Sequence, residues 1–197
     1  TGRLGFLANV AKEEINNAIN GLLRGDFTID ERKTIMVQTS IDMQPEPNFA
    51  LNEVTVSRKG TTAMITIHAY INGEYLNSYW ADGLIISTPT GSTGYSLSCG
   101  GPILTPNVNG LVITPIAPHN LTVRPLVIPN NGILELRIEA REDNYLCSMD
   151  SRVFSLDVGT TLKIQQADFK FRLVQTEEHN FPTTLRNKLL WGLDRRN

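Results

Sequence analysis

The 197-residue chain is poor in charge. Only 19% of its residues are Asp, Glu, Lys or Arg, and these nearly balance at a net −2. An average soluble domain carries roughly a quarter charged residues. No polybasic block is present, which argues against a nucleic-acid partner. Cysteine is scarce as well. Cys99 and Cys147 are the two, too few for a disulfide framework, and neither sits in a C-x-x-C or His-rich cluster that would hold zinc. No apolar run reaches the roughly 20 residues of a membrane span, and the first residues lack the pattern of a secretory signal. The expectation is a reduced, cytoplasmic protein with no membrane partner. Gly 15 and Pro 10 are ordinary, which excludes collagen-like and low-complexity classes.

What the chain has in surplus is β-branched residues. Val, Ile and Thr together supply 47 positions. Such side chains suit a pleated, half-buried surface, so sheet is expected. The apolar run at residues 4–8 reads as the end of a strand whose companions are absent. Residues 12–24 read as a helix, with Ile15, Ala18, Ile19, Leu22 and Leu23 on one face and Gly25 to stop it. One strand stub and one short helix suggest the tail of an α/β lobe. Strands are expected at 34–41, 50–58, 63–71, 74–80, 84–87, 111–114, 126–128, 133–139, 145–149, 161–166 and 170–175. Asn72-Gly73 is the strongest hairpin signal, because a type I′ turn needs φ > 0 at both central residues. Residues 182–193 read as a closing helix with Pro182 in its first turn. The fold class expected is mainly β, with few helices. The expected division is residues 1–26 as a remnant of an α/β lobe, 27–180 as a β-rich binding domain, and 181–197 as a closing helix.

Three segments carry possible chemistry. The densest is Asp82-Gly83-Leu84-Ile85-Ile86-Ser87-Thr88-Pro89-Thr90-Gly91-Ser92-Thr93-Gly94-Tyr95-Ser96-Leu97-Ser98. An acidic residue precedes a buried strand, and glycines, hydroxyls and an aromatic ring follow it. Glycines let backbone amides approach a ligand, Thr90, Ser92 and Thr93 can bond sugar or phosphate oxygens, and Tyr95 offers a ring face. This is the composition of a nucleotide cradle. It lacks the lysine of a G-x-x-x-x-G-K-[ST] phosphate loop and is not a G-x-S-x-G nucleophile elbow. Composition alone leaves open a plain loop between sheet elements.

The second segment is Asn52-Glu53 at the head of a strand, an amide beside a carboxylate, suited to two adjacent sugar hydroxyls. A surface strand start accounts for the same dipeptide. The third, residues 114–125, holds three prolines, Pro115, Pro118 and Pro125, and one histidine, His119, which together shape a rigid, non-ladder path. A structural His119 that orients this loop fits better than a general base, since no Ser or Cys stands beside it. Nothing lowers the Cys99 thiol pKa, so a structural Cys99 is expected.

The 82–98 segment followed by Gly100-Gly101-Pro102 resembles the hallmark of the NAD kinases, also called ATP-NAD or polyphosphate/ATP-NAD kinases. Leu4-Gly5-Phe6-Leu7, Asn52-Glu53, the stretch from Pro118-His119 to Arg124-Pro125-Leu126-Val127, Asp150-Ser151-Arg152, and Leu185 to Leu189 with Trp191-Gly192 agree in order. The resemblance covers essentially the whole chain. It implies an enzyme that transfers a phosphoryl group from ATP or polyphosphate, with Mg²⁺ or another divalent metal, to the adenosine-ribose 2′-hydroxyl of NAD, giving NADP. It further implies a β-sandwich-like C-terminal domain that forms homodimers or homotetramers. The family's Gly-Gly-Asp-Gly segment, whose aspartate is the general base, does not occur in these residues. The resemblance therefore implies a fragment that is inactive alone, with the catalytic residue unknown within it.

By the same resemblance, Asn52 and Glu53 bind the adenosine of NAD and Asp82 the nicotinamide amide or its ribose. Thr90, Thr93, Gly94, Tyr95 and Ser98 contact the adenosine half, Ala117 lines the nicotinamide side from this or a neighbouring subunit, and Arg152 lies near the pocket. Gly94 stands where the family usually has Ala, and Trp80 where several bacterial members have Arg. Two other classes stay in view: a non-catalytic NAD(P)-binding or oligomerisation module, and a lipid kinase of the related diacylglycerol kinase group.

Overall fold

The computed structural model describes residues 6–7, 10, 12–41, 46–60, 63–176 and 181–190. Its described residues form two antiparallel six-stranded sheets and few helices, so the mainly-β expectation holds. The strands are β1 (Thr28–Thr39), β2 (Phe49–Ala50), β3 (Glu53–Arg58), β4 (Ile65–Ile71), β5 (Glu74–Ala81), β6 (Gly83–Ser87), β7 (Gly110–Ile116), β8 (Leu126–Pro129), β9 (Leu134–Glu139), β10 (Asn144–Met149), β11 (Arg152–Asp157) and β12 (Leu162–Gln175). One sheet runs β2-β1-β12-β9-β4-β5 and the other β11-β10-β3-β6-β7-β8. The helices are α1 (Ile15–Arg24), α2 (Tyr95–Ser98) and α3 (Phe181–Leu189).

The chain divides into two compact units, residues 32–171 and residues 1–31 with 172–197. In the second, α1 ends at Gly25, whose φ of 80° gives the left-handed cap and lets its N–H reach the carbonyls of Gly21 and Leu22. Glu31 and Arg172 approach to 3.5 Å. Phe6 and Leu7 lie in a turn; the rest of the strand expected at 4–8 falls outside the described residues, apart from no more than these two. The closing helix is α3, and residues 191–193 of its expected span are also outside them.

In the larger unit the alternation of strand side chains builds one core. Ile35 and Val37 of β1, Ile65, Ile67 and Ala69 of β4, Leu134 and Leu136 of β9, and Leu162 and Ile164 of β12 meet Val54 and Val56 of β3, Leu84 and Ile86 of β6, and Leu111 and Ile113 of β7. Residues two apart point to one face, so each sheet delivers one apolar stripe. The Asn72-Gly73 turn forms as expected, with φ of 51° and 84°.

β6 departs from simple alternation, because all five of its residues are buried. Leu84 and Ile86 face the core. On the outer face Thr55, Ile85 and Thr114 lie across neighbouring strands at paired positions. The segment after β6 folds back over this outer face. There Ser96 Oγ and Thr114 Oγ1 are 2.8 Å apart, and Ser92 Oγ, fully buried, donates to the Pro89 carbonyl at 2.7 Å and accepts from the Leu104 N–H at 2.9 Å. A Gly/Ser/Thr run thus becomes a lid over a sheet, with the hydroxyls of Thr88, Ser92 and Thr93 bonded to backbone carbonyls and that of Ser96 to Thr114.

Four expected strands differ in the structure. The strand expected at 34–41 starts earlier, as β1 (Thr28–Thr39). The strand expected at 50–58 is broken at residues 51–52, because a carboxylate from elsewhere takes their N–H groups. The strands expected at 161–166 and 170–175 are one continuous β12. β11 was not expected at all, since the Asp150-Ser151 turn before it contains no glycine or proline to mark it.

Candidate functional site

The site is built at the top of β3 and β6. Glu53 lies directly opposite Ser87 in the antiparallel ladder, on the outer face. Among the described residues, neither Glu53 Oε2 nor Ser87 Oγ has a hydrogen-bond partner, although both atoms are shut off from solvent. Two orphaned polar atoms at one register position are unusual in a native interior. Burial pushes the Glu53 carboxyl up to about 7, with the Asp150 carboxylate adding to the shift.

The Gly/Ser/Thr segment closes over this pair. Thr88 N–H donates to the Asn52 carbonyl at 2.9 Å. The Thr88 hydroxyl donates to the Leu51 carbonyl at 2.6 Å and accepts from the Gly91 N–H at 3.2 Å. Gly91 packs so tightly on Asn52 that a Cβ there would fall 2.1 Å from the Asn52 oxygen. A Cβ at Gly94 would lie 3.4 Å from Glu53 Oε2, so Gly94 is the backbone that faces the orphaned carboxyl. Thr93 Oγ1 donates to the Thr90 carbonyl at 3.2 Å. Arg32 Nη1 donates to Thr90 Oγ1 at 3.4 Å.

Asp82 sits at the other end of the same ladder. Arg58, five positions after Glu53, donates its N–H to the Asp82 carbonyl at 3.0 Å, and five strand residues span about 17 Å. The Arg58 guanidinium grips the Asp82 carboxylate, with Nε–Oδ1 at 2.8 Å and Nη2–Oδ2 at 3.3 Å. Tyr95 stands half exposed at the start of α2, directly after Gly94. Burial raises its hydroxyl pKa first, and the Cys99 thiol and Asp82 carboxylate add to this. Ala117 follows β7 beside Asp82, whose N–H donates to the Ile116 carbonyl at 3.0 Å. Ala117 is exposed and held at φ 43°.

The sequence-derived residues therefore fall into two groups. Asn52, Glu53, Thr90, Thr93 and Gly94 gather at one end of the β3–β6 ladder and Asp82 and Ala117 at the other, while Tyr95 follows Gly94 and feels the Asp82 charge. Ser98 is on the exposed side of α2. The Arg152 guanidinium is turned to protein: it donates to the carbonyls of Met149, at 3.2 Å, and Phe49, and lies 3.8 Å from the Asp150 carboxylate. His119 stacks on Trp80, ring centroids 4.2 Å apart, and its N–H donates to the Trp80 carbonyl at 2.9 Å. Burial raises the Cys99 pKa, the opposite of what a nucleophilic thiol needs.

Sequence reasoning passed over Arg58 and Asp150. Arg58 gives no local signal, since its partner is 24 residues away. Asp150 stood in a noted tripeptide, but its partners are backbone N–H groups that no sequence pattern reveals. Among the described residues no group of three or more His, Cys, Asp or Glu side chains is placed to hold a metal, and no helix is long and apolar enough to cross a membrane.

Comparison with known proteins fits this geometry. The family model described as the ATP-NAD kinase C-terminal domain matches residues 51–176, from the Asn52 bend to the end of β12. The NAD kinase of Flavobacterium johnsoniae is 59% identical, over 100% of this chain and 67% of its own length. That of Bacteroides fragilis YCH46 is 42% identical, over 100% of this chain and 68% of its own. The chain thus spans about two thirds of the length of the curated relatives it matches. Among solved structures, yeast NADH kinase complexed with NADH superposes with a TM-score of 0.87 at 25% identity, over 100% of this chain and 58% of that one. An NAD kinase from Archaeoglobus fulgidus in complex with ATP gives 0.80 at 25% identity, over 96% and 71%. With the family match lying over the whole sheet that carries Asn52, Glu53 and the Gly/Ser/Thr lid, the chain belongs to the NAD kinase family.

Proposed function

We propose that this chain supplies the NAD-binding part of a kinase that phosphorylates the adenosine-ribose 2′-hydroxyl of NAD, with ATP or polyphosphate as donor and a divalent metal such as Mg²⁺. The observation that carries the reading is the orphaned pair Glu53 Oε2 and Ser87 Oγ beneath the Gly91–Gly94 turn. Buried groups of this kind are satisfied by a ligand's own hydroxyls or ring nitrogens. The adenosine half would lie over Asn52, Glu53, Thr90, Thr93 and Gly94, with the Tyr95 ring and Ser98 alongside. The nicotinamide half would reach Asp82 and Ala117 about five strand residues away, and Arg152 would support the adenosine end from below. Two groups of polar residues set about five strand residues apart suit a dinucleotide better than a single nucleotide.

The reading also takes the protein as a cytoplasmic homodimer or homotetramer. The solved relatives complexed with NADH and with ATP support the two substrate classes. The metal is not assigned to any residue of this chain. Phosphoryl transfer rests on positioning and charge stabilisation, and the 197 residues contain no Gly-Gly-Asp-Gly segment. The chain alone is therefore expected to bind NAD without forming NADP, and the full-length protein to do both.

Calorimetry on the chain and an NADP-formation assay on the full-length protein test this. Asn52→Ala and Asp82→Ala should each weaken NAD binding by about 1–3 kcal/mol through lost hydrogen bonds. Cys99→Ser should leave it nearly unchanged. Wild-type affinity in the first two variants removes the site assignment, and a full-length protein that makes no NADP removes the activity.

A further inference from the structure

The bend that presents Asn52 and Glu53 is not made by those residues. It is made by Asp150, from the turn between β10 and β11. Asp150 Oδ1 accepts from the N–H groups of Asn52, at 2.7 Å, and Glu53, at 3.2 Å, while Oδ2 accepts from Leu51 N–H at 3.0 Å. In return Asp150 N–H donates to the Glu53 carbonyl at 3.0 Å. Three consecutive amides captured by one side chain lift residues 51–52 out of the sheet, and β2 and β3 are separated there.

The residue type matters. Asp150 has φ 52°, a left-handed conformation that disfavours residues with a Cβ and suits glycine. A turn that served only to reverse the chain would be relieved by Gly. Asn would fit the same φ but offers a single acceptor oxygen, and its amide would point donors at donors. Only a short carboxylate accepts all three N–H groups. Arg152, 3.8 Å from Oδ2, is tied to the Met149 and Phe49 carbonyls and backs the carboxylate. Asp150 is the charged group that acts on the Glu53 carboxyl in this arrangement, and Arg152 stands behind it.

We propose that Asp150 is the positioning residue of the site: its carboxylate holds the 51–53 bend in the shape that aims Asn52 and Glu53 at a ligand, an inference that rests on the NAD-binding reading above. It touches no ligand. It acts by fixing the backbone under the two residues that do, and by placing a negative charge beside the orphaned Glu53 carboxyl.

The test compares Asp150→Gly, Asp150→Asn and wild type in the full-length protein. Glycine relieves the left-handed turn and removes the carboxylate, so the fold is kept while the bend is released. NAD affinity is expected to fall at least tenfold in Asp150→Gly and by less in Asp150→Asn, with cooperative melting preserved in both. The amide resonances of Leu51, Asn52 and Glu53 should shift and lose exchange protection in Asp150→Gly. The Glu53 carboxyl resonance should titrate at lower pH in Asp150→Asn than in wild type. Wild-type affinity in Asp150→Gly overturns the proposal, and so do unshifted amides at 51–53. If Asp150→Gly unfolds, the Asp150→Asn affinity and Glu53 titration decide alone, and no change in them overturns it. Failure of wild type to bind NAD overturns the NAD-binding reading instead, and the amide and carboxyl signals still decide whether Asp150 sets the bend.

Discussion

Gly91→Ala is expected to cost about 2–4 kcal/mol of stability and to abolish measurable NAD binding. A Cβ at this position falls 2.1 Å from the Asn52 oxygen, 2.4 Å from its carbonyl carbon and 2.8 Å from its Cα. All three are backbone atoms, so no side chain can swing aside. Asn52 cannot retreat either, because its N–H is held by Asp150 at 2.7 Å and its carbonyl by Thr88 N–H at 2.9 Å. The clash is relieved only by lifting the segment after β6 away from the head of β3, which breaks the Thr88 bonds and opens the space under Gly94. Overpacking of this kind costs typically 1–3 kcal/mol and more where backbone must move. For a chain of this size, the melting temperature should fall by about 5–10 °C. Gly94→Ala is the informative contrast. Gly94 has φ −97°, outside the left-handed region, and a Cβ there meets the Gly91 carbonyl at 3.2 Å, a gap that a shift of a few tenths of an ångström restores. The stability of Gly94→Ala should stay within about 1 kcal/mol of wild type. Thermal scans of both variants check the pair. Equal melting in Gly91→Ala and wild type would mean that the lid does not rest on Asn52.

The lid was legible because its chemistry is contiguous. Residues 82–98 carry the strand, the turn and the hydroxyls in one run, and the structure keeps them together. The alternation in β4 and the Asn72-Gly73 turn were legible for the same reason: strand period and turn chemistry are local properties. What was not legible is what depends on partners far along the chain. The break at 51–52 is imposed by Asp150, 98 positions from Asn52, so a run that reads as one strand from 50 to 58 becomes two. β11 begins after a left-handed Asp, where sequence offers no Gly or Asn to announce the turn. The Asp82 carboxylate was marked as a site group, yet its grip by Arg58 depends on the β3–β6 register. Asn52 and Glu53 were singled out as a pair, but their depth was not legible: a dipeptide at a strand head reads as surface until the segment after β6 is placed over it.

That depth gives Glu53 a measurable signature. An ordinary glutamate titrates near 4.5, and here burial, reinforced by the Asp150 charge, raises the value to about 7. The folded protein therefore holds the Glu53 proton more tightly than the unfolded chain does. Between about pH 4.5 and 7 the folded state binds more protons, so this group's contribution to stability is greatest below 4.5 and falls as pH rises, until the buried carboxyl is ionised above 7. Taken at face value the shift corresponds to about 3 kcal/mol. The carboxyl keeps partial access to solvent, and screening reduces this to about 1–2 kcal/mol. Glu53→Gln removes the titration and keeps the shape of the neutral acid. The variant should melt with wild type at pH 5 and about 3–6 °C above it at pH 8. Calorimetric melts at pH 5, 6, 7 and 8 measure the gap, and a gap that stays constant across that range would show that Glu53 does not titrate there. A widening gap means that the residue weakens the fold under ordinary conditions. Natural proteins keep such groups where binding requires them, and Glu53, with its orphaned Oε2 facing Gly94, is the residue of this site whose retention is hardest to explain by folding alone.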